Sequence, residues 1–563
     1  MADRFPTDKR QPDSSVVRPF LWEGSYPQSI HWNSEISICS LGEFINRSAV
    51  RHSDRMALAY REAELSYREL ADLILRVGVG LLRINESASG IGLLLPNTLY
   101  QPILLFGAMS AGRHVIQLSP LDSPRELAFK FRDTGARVLV TLAAPDLVEK
   151  ALMLRADGLV DRIIFLDDER WGARDGPCAM PDSAMSFEDL VREGRLDAPI
   201  SVDVNQPAII QFTGGTTGSP KGAILSHRNI VAAAGMATYW QSVRGMGLRD
   251  RVLMVLPLFH IFGLTMLNRH LGDGNSVLLR QRFDPQQCLE DLEIFEATTV
   301  NCVPTMWTAI ANESTASVRN LSSLSYPTSG GAPLPVEVAR RVEGLTGIKI
   351  FPGWGMTETA GIGCQHSPTG EVRDTSIGLP LPGFEVQIVD LKDRRRLLGV
   401  GETGEIRVKG PNVFQGYWNR PEENEIVFVD GFFLTGDIGR MDEDGFVYLT
   451  DRKKDMIISS GYNVYPSVIE NAIYEHPAVA ECIVIGIPDS YRGQAAKAYV
   501  SLKVGASVIS YDELKVFLKD RIGRHEMPVA LEIRERLPRT SVGKLSRLEM
   551  QKQSVGQAPT YSE

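Results

Sequence analysis

The chain has 563 residues, 43% of them hydrophobic and 23% charged, with a net charge of −9 at pH 7. That length exceeds what one hydrophobic core serves, so two or more domains are expected, and the acidic balance argues against a nucleic-acid groove as the main function. The six cysteines, Cys39, Cys178, Cys288, Cys302, Cys364 and Cys482, include no CxxC pair. Such spacing offers neither a zinc site nor a disulfide framework and fits a reducing cytoplasm.

In chain order, the opening MADRFPTDKRQPDSS lacks an apolar segment and mixes acids with bases, so 1–20 reads as a disordered tail rather than a signal or transit peptide. The apolar window GIGLLLPNTLYQPILLFGAMSAG (90–112) is interrupted by Pro96, Asn97, Gln101 and Pro102; it reads as a buried strand and helix, not a membrane span. A strand at 90–95, a helix to 109 and strands at 114–118 and 137–142 form a βαβαβ pattern, which predicts a mostly parallel sheet.

The stretch QFTGGTTGSPKGAILSH (211–227) follows. A Walker A loop places Gly before its Lys and Ser or Thr after it, whereas Pro220 and Gly222 flank Lys221. No hydroxyl beside the Lys is available for Mg²⁺, and the proline removes a backbone N–H from any anion nest. What remains is a loop in which Thr213, Thr216, Thr217 and Ser219 stand among glycines, suited to closing over a triphosphate; the alternative is a hairpin turn.

Further strands are expected at 252–256, 276–279 and 299–303, with helices between. Ligands of such sheets lie beyond the carboxyl ends of the strands, which singles out PLFHIFG (257–263), TSGGAPLP (328–335) and FPGWGMTETAG (351–361). From about 378 the pattern turns to short alternating strands, such as 384–389 and 404–409, with Gly, Pro and Asp turns: a small β-barrel or meander. After the charged DRKKD (451–455), Ile469, Ala472 and Ile473 have helical spacing. Ala498, Val500, Leu502 and Val504 alternate with polar neighbours, and Leu514, Phe517, Leu518 and Ile522 mark an amphipathic helix. Residues 454–563 thus read as a small α+β domain following a large one over 21–453.

The Gly-rich loop, the acid of WGMTE, the acid of LTGDIG, DRKKD and PRTSVGKLSR occur in that order. Together they resemble the acyl-adenylate-forming superfamily of acyl- and aryl-CoA synthetases, adenylation domains and luciferases, over about residues 41–550. The TGGTTG loop and LPLFHIFG look most like bacterial long-chain fatty-acid CoA ligases. The resemblance implies an α/β fold: a large N-terminal domain of two βα-layered subdomains plus a small β-barrel, and a small mobile α+β C-terminal domain hinged at Lys454. It also implies ATP, CoA and Mg²⁺: a carboxylate attacks the α-phosphate of ATP, and CoA then displaces AMP.

By that resemblance Thr213, Gly214, Thr216, Thr217 and Lys221 lie over the β- and γ-phosphates, with Gly215 and Gly218 in the same loop; for Lys221 the alternative is a solvated surface charge. Glu358 is the candidate Mg²⁺ ligand, since Mg²⁺ takes few carboxylates plus phosphate oxygens and water, or else a helix cap. Thr357 beside it would donate to the α-phosphate, with Gly355 and Met356 in the same nucleotide site. Ser329, Gly330, Gly331, Ala332 and Trp354 resemble the adenine wall, with simple core packing the other reading of Trp354. Asp437 either holds the ribose hydroxyls, with Arg452 near by, or closes an Asx turn.

His260 would stand by the carboxylate and pyrophosphate, or in an aromatic cluster with Phe259 and Phe262. No Trp follows it closely, which speaks against a Trp-gated acyl tunnel. Phe262, Leu264 and Val303 are assigned to the acyl pocket. Lys544 would bridge the attacking carboxylate and the α-phosphate. Gly461, with Tyr462, would approach the pantetheine arm, where a missing Cβ leaves room.

Nineteen residues follow Lys544, too few for a carrier domain, which favours free CoA. Three functions are carried forward: a fatty-acyl-CoA ligase, a stand-alone adenylating enzyme for aryl or dicarboxylic acids or a separate carrier protein, and a non-catalytic acyl-adenylate binding protein. Intact Lys544, Glu358 and Asp437 argue against the third. No nucleic-acid partner is expected; a peripheral membrane contact, and a monomer or a homodimer, are all compatible with the sequence.

Overall fold

Strands covered on both faces are continuously apolar, and the runs near residues 90, 115 and 138 are buried in this way. Gly90–Leu94 pairs in parallel with His114–Leu118 on one side and Val138–Leu142 on the other. They sit in a six-stranded sheet ordered Arg162–Leu166, Val138–Leu142, Gly90–Leu94, His114–Leu118, β1 (Pro207–Thr213) and β2 (Lys221–Ser226). The computed structural model describes residues 18–84, 90–173, 176–181, 184–213, 220–245, 249–460, 462–489, 491–540 and 543–555. Of the expected tail, 1–17 lie outside these, but Phe20 is core: it stacks on Trp22 with ring centroids 4.6 Å apart.

Helices start and stop where side chains can satisfy their free backbone groups. Helix Pro124–Thr134 has Ser123 and Glu126 in a reciprocal capping box and ends on Gly135 in the left-handed conformation, as helix-end chemistry requires. Helix Tyr100–Ser110 is buried on all sides, and among the described residues no helix is long and apolar enough to cross a membrane.

A second hydrogen-bonded path runs Glu385–Val389, Gly404–Lys409, β3 (Phe432–Met441), β4 (Val447–Arg452), Ser376–Pro380, Cys364–Gln365, Phe351–Trp354, Thr328–Ser329, Thr299–Cys302, Arg251–Met254, Ser276–Leu279, Met56–Tyr60, Ala63–Ser66. Its middle is parallel and its first six strands antiparallel. The antiparallel strands are therefore continuous with the α/β layer through Cys364–Gln365. Helix α1 (Ile261–Gly272) follows the interior strand Arg251–Met254 in the chain, and one hydrophobic core joins both large sheets.

The third sheet has five strands, Tyr462–Val464, Ile457–Ser459, Gly493–Leu502 and Val479–Asp489 in order, with Ala530–Ile533 parallel to Gly493–Leu502. Helices α2 (Pro466–Tyr474) and α3 (Arg547–Val555) belong to it, and Ile469, Val484, Val500 and Leu518 fill a separate core. Val504, expected in the alternating strand, is fully exposed beyond its end, where a turn at Gly505 with φ +79° has already begun. The architecture is α/β, with a large N-terminal part of mixed sheets and a smaller C-terminal one.

Strand β1 pairs antiparallel with β2, Thr213 opposite Lys221. A Walker A loop leads from a strand into a helix, whereas the connection here joins two antiparallel strands, so the topology excludes it for a second reason. The residues of that connection, 214–219, and the glycine at 461 lie outside the described residues.

Close helix packing generates a stability prediction. Gly80 lies in helix Tyr67–Ile84, and a Cβ there would stand 2.1 Å from the carbonyl oxygen of Leu190. Alanine normally gains about 1 kcal/mol over glycine within a helix. Here Gly80→Ala is expected to lose roughly 1–3 kcal/mol through overpacking; a thermal melt that rises instead would refute the close contact.

Candidate active site

The carboxyl ends of the central strands, the β3–β4 pair and the C-terminal domain enclose a cavity of about 1060 Å³, at the upper end of the usual range for small-molecule sites. One corner is built by Asp437, which β-pairing sets opposite Arg452. Its Oδ1 is 3.2 Å from Arg452 Nε, and its Oδ2 accepts the indole N–H of Trp354 at 2.8 Å. Asp437 does not close an Asx turn; its own N–H donates to Thr435 Oγ1 at 3.0 Å. Trp354 packs in the core near Phe384, the second of its two expected readings, and its indole also orients this carboxylate. The Arg452 guanidinium is held further toward its charged form by Asp437.

Glu358 sits in the short 3₁₀ turn Thr357–Thr359 and is 6% exposed. The turn is capped by Thr359, whose hydroxyl accepts Met356 N–H at 3.0 Å. The Glu358 carboxylate faces elsewhere: Oε1 accepts the Tyr417 hydroxyl at 2.7 Å. Burial raises its pKa against the lowering effect of that hydrogen bond. Lys221 pairs with Glu423 and lies 5.2 Å from the centroid of the Tyr417 ring, so it is a held rather than a freely solvated charge. Tyr417 thus links two predicted site residues, and no local pattern in QGYWN announced it; its partner is 59 positions away.

His260 caps α1. Its Nδ1 accepts Phe262 N–H at 3.2 Å, and burial, then the charge of Lys544, pushes its pKa down to about 3. The imidazole is therefore neutral with its proton on Nε2, a donor in the cavity lining. Phe262 and Val303 also line the cavity. Leu264 does not: it is fully buried, because on a helix residue 264 points away from 262, while Met266, one turn on, returns to the lining. Tyr462 is exposed on the small sheet, its ring 5.3 Å from His525.

Ser329, Gly330, Gly331, Ala332, Gly355, Met356 and Thr357 all line the cavity, and Ser329 Oγ has no hydrogen-bond partner among the described residues. Lys544 reaches it from the C-terminal domain. Gly331, with φ +84°, makes the room: a Cβ there would stand 2.7 Å from Lys544 Nζ. The segment is docked by Thr305, whose hydroxyl donates to Gly543 O at 2.9 Å, and tightened by Thr540 N–H to Lys544 O at 2.7 Å. Lys454 lies in a turn closed by Asp455 N–H and Met456 N–H on Arg452 O, and its side chain too lines the cavity.

The cavity thus gathers the buried carboxylate of Glu358, cations from both parts of the chain and a carboxylate–tryptophan corner. A family model described as AMP-binding enzyme matches residues 45–418, and one described as AMP-binding enzyme C-terminal domain matches residues 468–544. The chain belongs to the AMP-binding enzyme family. It is 34% identical over 546 residues to a long-chain-fatty-acid–CoA ligase of Bacillus subtilis strain 168, covering 93% of this chain and 96% of that protein. It is 33% identical over 522 residues to a feruloyl-CoA synthase of an Amycolatopsis species, covering 91% and 98%. Among solved structures, ATP-bound MatB from Rhodopseudomonas palustris superposes with a TM-score of 0.82 at 26% identity, covering 91% of this chain and 99% of that one.

Burial and the Arg452 charge bring the Lys544 pKa down to about 8, so about half of it is neutral amine at pH 8, against under about 1% for an ordinary lysine. Succinimidyl-ester labelling followed by peptide mass mapping is expected to give a rate profile for Lys544 with its midpoint near pH 8. A midpoint above about pH 10 would show that the side chain does not enter the cavity.

Proposed function

We propose that the chain is an AMP-forming acid–thiol ligase, an acyl-CoA synthetase of the long-chain fatty-acid type. It activates a carboxylic acid with ATP to acyl-AMP and pyrophosphate and then transfers the acyl group to CoA. The observation that carries this reading is the meeting of Lys544, from the C-terminal domain, with Gly331, His260 and Arg452 around the cavity that Glu358 and Asp437 also line.

The chemistry explains the charges. A carboxylate attacking a phosphate ester brings like charges together, and two unit charges 4 Å apart repel by about 4 kcal/mol at an effective dielectric of 20. The Lys544 ammonium offsets this by donating to both the attacking oxygen and the α-phosphate. His260 Nε2–H is a second donor, with no cost of deprotonating a cation. Asp437, held by Trp354 and Arg452, accepts the ribose hydroxyls. Lys221 exchanges Glu423 for the departing pyrophosphate, under the loop of Thr213, Thr216 and Thr217.

The donor set suits Mg²⁺. Glu358 is a single buried carboxylate with one oxygen on Tyr417, and among the described residues no group of three or more His, Cys, Asp or Glu forms a protein cage. Mg²⁺ takes one or two carboxylates, with phosphate oxygens and water filling the rest. When bound it neutralises charge on the phosphates.

For the CoA step the C-terminal domain turns about Lys454 and withdraws Lys544, so that Gly461 and the exposed Tyr462 come to the thiol's approach. The thiolate then attacks the acyl carbonyl and AMP leaves. Free cysteines throughout the described residues suit a cytoplasmic setting. Aryl acids are the second reading of the substrate, favoured by the similarity to a feruloyl-CoA synthase; the apolar lining of Phe262, Met266, Val303 and Pro304 favours aliphatic chains.

Acid-dependent ATP–pyrophosphate exchange across a panel of acids tests the class. Each buried methylene is worth about 0.8 kcal/mol, so exchange should rise by up to about tenfold per two carbons until the cavity is full; equal or better turnover of benzoate, ferulate or adipate would overturn the fatty-acid assignment. Glu358→Gln keeps the shape and removes the charge, and exchange is expected to fall by on the order of 10²-fold, with unchanged exchange at limiting Mg²⁺ the contrary result. Lys544→Ala should abolish acyl-AMP formation yet still convert supplied acyl-AMP and CoA to thioester.

A further inference from the structure

Two residues, Ser467 and Arg547, donate to one carboxylate from across the turn at Lys454. Asp451, near the end of β4, has a side chain only 2% exposed. Its Oδ2 accepts the backbone N–H of Ser467, in the first turn of α2, at 2.8 Å; the Ser467 hydroxyl lies 3.0 Å from the same oxygen and donates more closely to the carbonyl oxygen of Thr450 on β4. Its Oδ1 accepts Arg547 Nη1 at 2.9 Å, from the first residue of α3, and the neighbouring Arg452 N–H at 2.7 Å. Asp451 lies before the turn, whereas Ser467 and Arg547 lie after it. A residue sixteen positions upstream thereby caps a helix of the other domain.

The other partners of Arg547 sort the contacts into two kinds. Glu470, on α2, takes Arg547 Nε at 3.0 Å and Nη2 at 2.5 Å, a two-pronged pair, and Asp455 is 3.4 Å from Nη1. Glu470, Asp455 and Arg547 all follow Lys454 and travel together when the domain turns. Arg547 therefore keeps a bidentate carboxylate in any orientation, the strongest geometry available to it. Asp451 has no such provision. Its carboxylate meets the helix N-terminus and the guanidinium in the same arrangement in which Lys544, three residues before Arg547, stands in the cavity.

We propose that Asp451 is a positioning residue for adenylation: it fastens the C-terminal domain, and Lys544 with it, over the cavity, and its release from Ser467 and Arg547 is the step that frees the domain for transfer to CoA. This rests on the reading of Lys544 and Lys454 given above. It identifies the exchangeable ionic contact of the closed arrangement and separates it from the permanent Arg547–Glu470 pair. Asp451 touches no reacting atom; its effect runs through the placement of Lys544.

The test compares two half-reactions in Asp451→Asn, which keeps the size of the side chain and one acceptor while removing its charge. Pyrophosphate exchange with hexadecanoic acid is expected to fall about tenfold or more, while thioester formation from synthetic hexadecanoyl-AMP and CoA stays unchanged or rises. A purely structural Asp451 would lower both half-reactions in parallel with the thermal melt; that outcome, or undiminished exchange, overturns the proposal. Should Asp451→Asn fail to fold, Ser467→Ala removes the hydroxyl that joins α2 to Thr450 and Asp451 across the same turn while keeping the backbone donor; it is expected to lower exchange by a few-fold with transfer intact, and equal effects on both would again overturn the proposal. Lys544→Ala is run beside them. If it does not separate the half-reactions, the underlying reading fails; if it does and the Asp451 and Ser467 variants do not, only this inference fails.

Discussion

A lysine ammonium held inside a cavity loses hydration, and the organisation of this chain follows from keeping Lys544 there. Burial and the facing Arg452 both oppose its charge, so the segment that carries it must be fastened by contacts elsewhere. Thr305 on Gly543, the Thr540–Lys544 backbone bond and the glycine at 331 supply them at close range. Asp451, Ser467 and Arg547 supply them at the domain level. A charge that is costly without its substrate becomes favourable beside a carboxylate and a phosphate, which is how preorganised electrostatic catalysis works.

The same logic shapes the other corners. Glu358 is buried and its pKa raised, a poor situation for a carboxylate unless a cation arrives to face it. Asp437 is 4% exposed but firmly held by an indole N–H and a guanidinium, leaving it rigid for a ligand that presents hydroxyls. Lys221 has Glu423 as a resident counter-charge. His260 is kept neutral by burial and so donates without adding a further cation to a site that already collects several. Glu358, Asp437 and Lys221 are each held by a residue from a different segment of the chain, Tyr417, Trp354 and Glu423.

Much of this was legible from the residues in order. The strands at 90, 114, 138, 276 and 404 are marked by local apolar runs or alternation, and the structure has them at or within a residue of the expected limits. Pro220 before Lys221 sufficed to reject a Walker loop, and the β1–β2 pairing agrees. Leu264 was misplaced in the acyl pocket because helical phase decides which residue of Phe262, Leu264 and Met266 faces inward, and three residues at the start of a helix are too few to reveal it.

What the sequence by itself determined is therefore many of the elements, the order of the motifs and the family: these depend on residue type and short-range spacing, which side-chain sterics and local hydrogen bonding read directly. What only the tertiary structure decided is which charges meet. Tyr417 on Glu358, Trp354 on Asp437, Asp451 on Arg547 and Lys544 on Gly331 are separated by 59, 83, 96 and 213 positions. The physical reason is that a hydrogen bond or ion pair acts over about 3 Å, so its partners are chosen by how the sheets and the C-terminal domain pack, which no local pattern encodes.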